Sequence, residues 1–316
     1  MRSAVLFAAL TLAACTAKPT PTGDQLIPAD ANLMIGVDVS GVLSSEMFGL
    51  FKPMLAKDIA DFAWIDEARD CGIDPITSRL TLIGGSDGVD KGVVVFTGDG
   101  LGDATKIRCI GDKLTEQRRG HPAFTLHDRA AGPPPAGESL VAMIVDQRTV
   151  VLATPGWAAP VHDLTLGKGK AAMDGPSQPQ FARAERGVHV WAAGVIPPGK
   201  SVQELRAGLG AEPREVFAAV DLGAGLALRV DVGFSGADQV ATVRKKVEET
   251  APMLKMVMPM MGLDPKTAES IKLEMKGDEV HFEAAISVAD ALALAKKLNP
   301  EPQPPEPQRI EHPPPS

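Results

Sequence analysis

From Asn32 to His127 the apolar residues fall into a fixed succession of short strand-like runs and longer helical ones. That succession limits the folds open to the chain. Asn32 to Val39 reads as a strand. Val42 to Ala63 carries Leu43, Met47, Leu50, Phe51 and Ile59 at helical spacing, with Pro53 as a kink. Arg79 to Ile83 and Gly92 to Phe96 read as two strands joined by a Gly/Asp-rich turn. Asp103 to Leu114 reads as a helix N-capped by Asp103, and His121 to His127 as a last strand. The order β-α-β-β-α-β is that of a ferredoxin-like split unit. Ser139 to Val145 and Thr149 to Ala153 add a hairpin.

A second series follows. Val188 to Val195 reads as a strand, Ser201 to Leu209 as a short helix, and Arg214 to Leu222 with Leu226 to Phe234 as a strand pair. Ala237 to Met258 is a helix, Ile271 to Met275 and Glu279 to Ile286 a hairpin, and Val288 to Leu298 a closing helix. Three short matches link the series. Val37-Asp38-Val39 recurs as Val230-Asp231-Val232, Pro53-Met54-Leu55 as Pro252-Met253-Leu254, and Gly72-Ile73-Asp74-Pro75 as Gly262-Leu263-Asp264-Pro265. The expectation is an α+β chain of two related ferredoxin-like units, each an antiparallel sheet covered by helices. The units are 26–167 and 187–298. A Gly-, Pro-, Ser- and Gln-rich linker, 168–186, separates them, and 299–316 is a disordered proline-rich tail.

The N-terminus carries the one specific motif. Arg2 precedes an apolar run, Ala4 to Leu12, that is too short to span a bilayer, and Leu12-Ala13-Ala14-Cys15 ends it. This tetrapeptide resembles the lipobox of bacterial lipoproteins. The resemblance implies that 1–14 is a cleaved signal peptide and that Cys15 becomes the first mature residue, bearing three acyl chains such as palmitate. Each buried methylene is worth about 0.8 kcal/mol, so several chains anchor a protein stably where a single one binds reversibly. Thr16 follows the cysteine where inner-membrane members of enterobacteria carry Asp, which implies the outer membrane. Residues 15–25 then read as a disordered tether. Tether, Pro28-Ala29-Asp30-Ala31 opening and repeated α+β units together resemble bacterial envelope lipoproteins, and no activity comes with that resemblance.

Composition narrows the partners. The net charge of −8 disfavours nucleic acid and anionic headgroups, and an aromatic content of 4% with no Tyr disfavours stacking surfaces. No later apolar run approaches the roughly 20 residues of a membrane helix, so membrane contact is through the lipid on Cys15. Gly194 to Ser201 matches a phosphate loop, but Pro197 and Pro198 lack the N–H groups such a loop points at a nucleotide. Gly84-Gly85-Ser86-Asp87-Gly88 matches a nucleophile elbow, yet it leads into a strand rather than a helix and reads as a hairpin turn. The Asp-rich run around Asp87, Asp90, Asp99 and Asp103 lacks the spacing of a calcium loop. Six scattered histidines form no ligand pair. The expectation is a non-enzyme without a cofactor.

Two features remain open. Cys71 and Cys109 are an even pair in an oxidising compartment, either a disulfide or two buried thiols. Met253, Met256, Met258, Met260 and Met261 are either core filler, an adaptable apolar surface, or soft donors for Cu(I). The role expected is structural or interactive, with an envelope protein or apolar ligand bound between the halves. The alternative is a lipid or Cu(I) carrier using the methionines.

Overall fold

Strand β1 (Leu33–Asp38) sits between β2 (Thr81–Ser86) and β7 (Val190–Val195), antiparallel to both. The computed structural model describes residues 21, 23–58, 63–117, 123–135, 137, 139–197, 203, 206–207, 210–260 and 264–298. Among them, eleven strands make one mixed sheet. Beyond β2 come β3 (Gly92–Thr97), β6 (Thr149–Ala153), β5 (Val141–Ile144) and β4 (Thr125–His127). Beyond β7 come β8 (Pro213–Asp221), β9 (Gly225–Phe234), β11 (Glu279–Ser287) and β10 (Lys272–Lys276). All pairs are antiparallel except β4 with β5.

The two sides of the sheet repeat one plan. In each, a leading strand is followed by a hairpin, a long helix, a second hairpin and a closing helix, and the second hairpin's later strand joins the first hairpin. Position in the sheet therefore pairs β1 with β7, β3 with β9 and β6 with β11. The tripeptide match instead couples β1 with β9, strands that are not equivalent in this plan. The order β1-β2-β3 is a meander and does not show the ferredoxin-like interleaving.

Because side chains alternate along a strand, each face of the sheet has its own core. On one face Met34, Val93, Val95, Val151 and Trp191 pack under helix α5 (Pro155–Thr165), which buries Trp157, Val161 and Leu164 at helical spacing. Pro155 opens that helix at a position where its missing N–H costs nothing. The Trp157 indole N–H donates to Asp30 Oδ2 at 3.2 Å, tying the Pro28–Asp30 turn to the helix. On the other face Leu82, Phe96 and Val150 pack against α4 (Ala104–Gln117). Further along that face Val232, Leu273 and Val280 pack under α7 (Ala237–Met260) through Val243 and Val247.

Several expectations change. The run 168–186 is not a free linker: Ala172, in a 3-10 turn (Ala172–Asp174), and Phe181, in the short helix α6 (Gln178–Phe181), are fully buried in the α5-side core. Its composition is loop-like, but one Phe and one Ala at the right places suffice to pin it. Part of the tether is ordered too. Gly23–Leu26 forms a 3-10 turn, with Leu26 buried and Asp24 ion-paired to Arg186. The helix over 42–63 is divided into α1 (Val39–Ser44) and α2 (Glu46–Asp58), and a further helix, α3 (Ala63–Asp70), follows. Ser45 makes the break: its backbone is extended, and its hydroxyl accepts from the Phe48 N–H at 3.1 Å, capping α2. The strand over 121–127 shortens to β4, with His121 outside the described residues. Helices α8 (Pro265–Ser270) and α9 (Val288–Leu298) complete the chain, and most of the expected helix over 201–209 lies outside the described residues.

Candidate functional site: an apolar chamber beneath two disulfide-linked helices

Helix α3 is short, and its end is built into the sequence. Gly72 adopts φ +79°, and the Ile73 N–H reaches back to Ala68 O at 2.8 Å while the Gly72 N–H meets Arg69 O at 2.8 Å. This is a Schellman closure, which needs the left-handed conformation glycine supplies and places an apolar residue, Ile73, back against the helix. Helix α4 starts at Asp103, whose Oδ1 accepts from the Thr105 N–H at 2.8 Å. That N–H, working against burial, holds the Asp103 carboxyl below the usual carboxylate range. Ile107, Ile110 and Leu114 then recur at helical spacing toward the sheet.

Cys71, directly after α3, is joined to Cys109 in α4, with Cα atoms 5.7 Å apart. Of the two open readings, the disulfide is the one present. It holds α3 and α4 side by side as a roof over the sheet. Between roof and sheet lies a cavity of about 380 Å³, with Leu80, Phe96, Val150 and Leu152 on its sheet side and Phe124 and Leu140 among its walls. Among the described residues that line it, Glu67 is the one that is charged. A shallower recess of about 300 Å³ shares Leu140 and Leu152 with it and runs along the same face to Leu33 and Ile35. Ile35, on β1, is 40% exposed. The apolar track thus lies within the first half and reaches the strand where the halves meet.

The rim is charged. Arg69 pairs with Asp66 and with Asp74 at 3.3 Å, Lys113 pairs with Asp70 at 2.9 Å, and Lys106 donates to Gly72 O at 2.9 Å. The Asp70 partner raises the Lys113 pKa, with Glu67 and Glu116 adding to it against burial. The Ile76 N–H chiefly holds the Asp74 carboxyl low, assisted by Thr77 and Arg69.

The remaining candidates separate in space. Met253 and Met256 are exposed on α7, at 59% and 65%, so these two are not core filler. The side chains of Met258, Met260 and Met261 lie outside the described residues, as do Cys15 and the 299–316 tail. Ser86 ends β2 in the expected hairpin, its hydroxyl donating to Lys91 O and accepting from the Gly88 N–H. Asp87 accepts from Val89, Asp90 and Lys91 N–H groups, Asp99 pairs with Arg148, and Asp103 caps α4, so these carboxylates serve three different turns. Among the described residues, no group of three or more His, Cys, Asp or Glu side chains is placed to hold a metal. His281 Nδ1 meets Asp231 Oδ1 at 2.5 Å and its Nε2 faces Glu283 at 3.6 Å, so both ring nitrogens face carboxylates. This cluster continues through Lys272–Glu283 and Arg183–Glu279, with the Arg183 guanidinium 3.6 Å from the Phe217 ring centroid.

The chamber is not legible in the sequence. The α4 periodicity was visible, but α3 was absent from the expected elements, and an apolar stripe does not reveal whether its neighbours close on it. The signal available was Trp64 to Ile73, where Trp64, Ile65 and Ala68 precede the Gly72 stop.

The class of protein this geometry defines is an α+β fold on one large sheet with helices on both faces. No family model matches the chain, and no curated protein matches it. Two crystal forms of TP0453, a Treponema protein, are similar in structure. Form I has a TM-score of 0.46 at 9% identity, over 89% of this chain and 98% of that one. Form III has 0.49 at 10%, over 89% and 99%. Among the described residues no helix is long and apolar enough to cross a membrane.

Proposed function

We propose that the chain is a lipid-anchored envelope lipoprotein of the outer membrane with a non-enzymatic role, whose folded body holds an apolar ligand in the chamber under α3 and α4. Cys15 is the anchor. The single observation that carries ligand binding is the cavity of about 380 Å³ whose described lining residues are apolar apart from Glu67. Ligand sites are commonly apolar concavities of about 300–1,000 Å³, and this one falls in that range. The repeated plan of the two sheet halves supports their origin as related units.

Two measurements test the reading. Mass spectrometry of the protein from its native membrane should find the mature chain starting at an acylated Cys15. An intact, unmodified initiator Met would end the anchor. The mature chain with Cys15→Ser should enhance the fluorescence of a neutral naphthylamine probe. Ala142→Phe, which places a ring on the chamber floor, should weaken that binding by about tenfold or more. Equal binding by the two would remove the chamber as the site.

The exposure of Met253 and Met256 favours a second reading, a soft-metal or apolar contact on α7. Cu(I) titration of the same chain, with and without Met253→Leu and Met256→Leu, decides it.

A further inference from the structure

The shallower recess owes its shape to a missing side chain. On the chamber's face of the sheet, Val37, Leu82, Phe96 and Val150 form a row across β1, β2, β3 and β6 and belong to the core beneath α4. The next row is Ile35, Gly84, Val94 and Leu152, and it lines the recess. Gly84 stands where its neighbours carry large side chains, so the row has a furrow at β2 between Ile35 and Val94. The row after it continues the furrow with two small residues, Ser86 and Gly92. The backbone of Gly84 stays out of the left-handed region, so no turn requires a glycine there. A Cβ built on it would lie 3.2 Å from Ile35 Cγ2 and 3.7 Å from Val93 O. What the glycine provides is open space.

Width decides what fits that space. Adjacent strands lie about 4.8 Å apart, so Ile35 and Val94 stand about 10 Å apart across Gly84. Carbon atoms in contact sit about 4 Å apart, so one file of methylenes between two walls needs about 8 Å and two files about 12 Å. The furrow admits one. It shares Leu140 and Leu152 with the chamber, so a chain that fills the chamber can continue into the furrow along apolar surface. A methylene takes up about as much space as a water molecule, roughly 30 Å³, so the chamber of about 380 Å³ holds on the order of a dozen. The hydroxyls at the far end are engaged by the β2–β3 hairpin. Ser86 Oγ donates to Lys91 O and accepts from the Gly88 N–H, and Thr154 Oγ1 accepts from the Gly92 N–H at 2.9 Å. Selection is therefore exerted on the tail.

We infer that the ligand is a single-tailed lipid with a straight chain longer than about twelve carbons, and that Gly84 sets this length preference. The terminal methyl lies in the chamber and the remainder of the tail in the furrow. The inference rests on the apolar-ligand reading above.

The test is a tail-length series on one head group. Decanoyl, dodecanoyl, tetradecanoyl and hexadecanoyl lysophosphatidylcholine compete for the neutral naphthylamine probe on the mature Cys15→Ser chain, each below its aggregation threshold. A fully covered methylene is worth about fourfold in affinity and a half-covered one about twofold. The hexadecanoyl lipid should therefore bind about tenfold or more tighter than the dodecanoyl one. Gly84→Leu, which fills the furrow, should hold that ratio to about two or less while changing dodecanoyl binding by less than about twofold. Gly92→Val provides a second variant, because a Cβ there meets only Gly85 O at 3.6 Å and Thr154 Cγ2 at 3.9 Å; it too should reduce the ratio. No gain from dodecanoyl to hexadecanoyl in the parent overturns the inference and leaves the chamber standing. Folded variants that keep the parent's ratio, or that weaken both lipids equally, overturn it in the same way. If the probe does not bind the parent at all, the chamber reading itself fails and this inference falls with it. Thermal melts of each variant establish that it is folded before it is scored.

Discussion

Gly36 lies on β1, the strand at which the two sides of the sheet meet. It lies opposite Trp191 across the β1–β7 pair, and a Cβ built on it would overlap the indole ring. Trp191 is 5% exposed, so the ring has little room to retreat. Gly36→Ala should therefore destabilise the protein by about 1–3 kcal/mol, the usual cost of overpacking a filled core. A denaturation midpoint unchanged from the parent would show that the ring can move. Asp87 acts through charge. Burial pushes its carboxyl up, but the Val89, Lys91 and Asp90 N–H groups outweigh that and hold it below its ordinary value. A carboxyl depressed in the folded state contributes stability above its unfolded pKa, and that stability is lost as pH falls through the folded value. Asp87→Ala should cost on the order of 1 kcal/mol near neutrality. The difference from the parent should shrink as the pH is lowered below the ordinary carboxylate range, and a gap constant with pH would count against this account. At this scale the sequence was informative where chemistry is local: Asp103 as a cap and the Ser86 turn follow from nearby residues. Gly36 could not be foreseen, because its need for a missing side chain is imposed by a Trp more than a hundred residues away.

Among the elements, α3 and α4 are the pair whose separation matters most, and the Cys71–Cys109 bridge spans it. Its sequence separation is 38, and in the chain-entropy picture a closed loop of that size is worth about 3–4 kcal/mol. Replacing both cysteines with serine should lower stability by about 2–4 kcal/mol, read from the denaturant midpoint. It should also weaken probe binding more than a surface substitution of equal stability cost, because the bridge fixes one wall of the chamber relative to the other. Loss of stability with probe affinity intact would separate the bridge from the site. Strong helices and hairpins were legible because their periodicity is carried within one run; Val288–Leu298 was placed to the residue. The α1–α2 break was not. It depends on a single serine hydroxyl competing for backbone partners within a stretch that otherwise has helical spacing.

For the whole molecule the question is whether the halves are separable, and the sheet argues that they are not. Strands β1 and β7 pair over five registered positions, so dividing the chain between them would open an edge on each side. The α5-side core is also shared. Met34 from the first half and Trp191, Ala193 and Phe217 from the second belong to one buried cluster, and Phe181, from the run expected to be a linker, is enclosed in it. The sequence displayed two series of elements, without α3 and without the α1–α2 break, and left their junction undetermined, since strand order is set by pairings between distant residues. Two independent units joined by a linker would melt in two steps and survive cleavage between 168 and 186. A single sheet should melt in one transition with equal calorimetric and van't Hoff enthalpies. Residues 187–298 expressed alone should then lack a cooperative transition, because Trp191 and Phe217 would face water where the first half and Phe181 now cover them. Calorimetry on the mature chain and on that fragment checks both outcomes. Two resolved transitions, together with a fragment that melts cooperatively, would mean that the β1–β7 pairing contributes little and that the halves fold as separate domains.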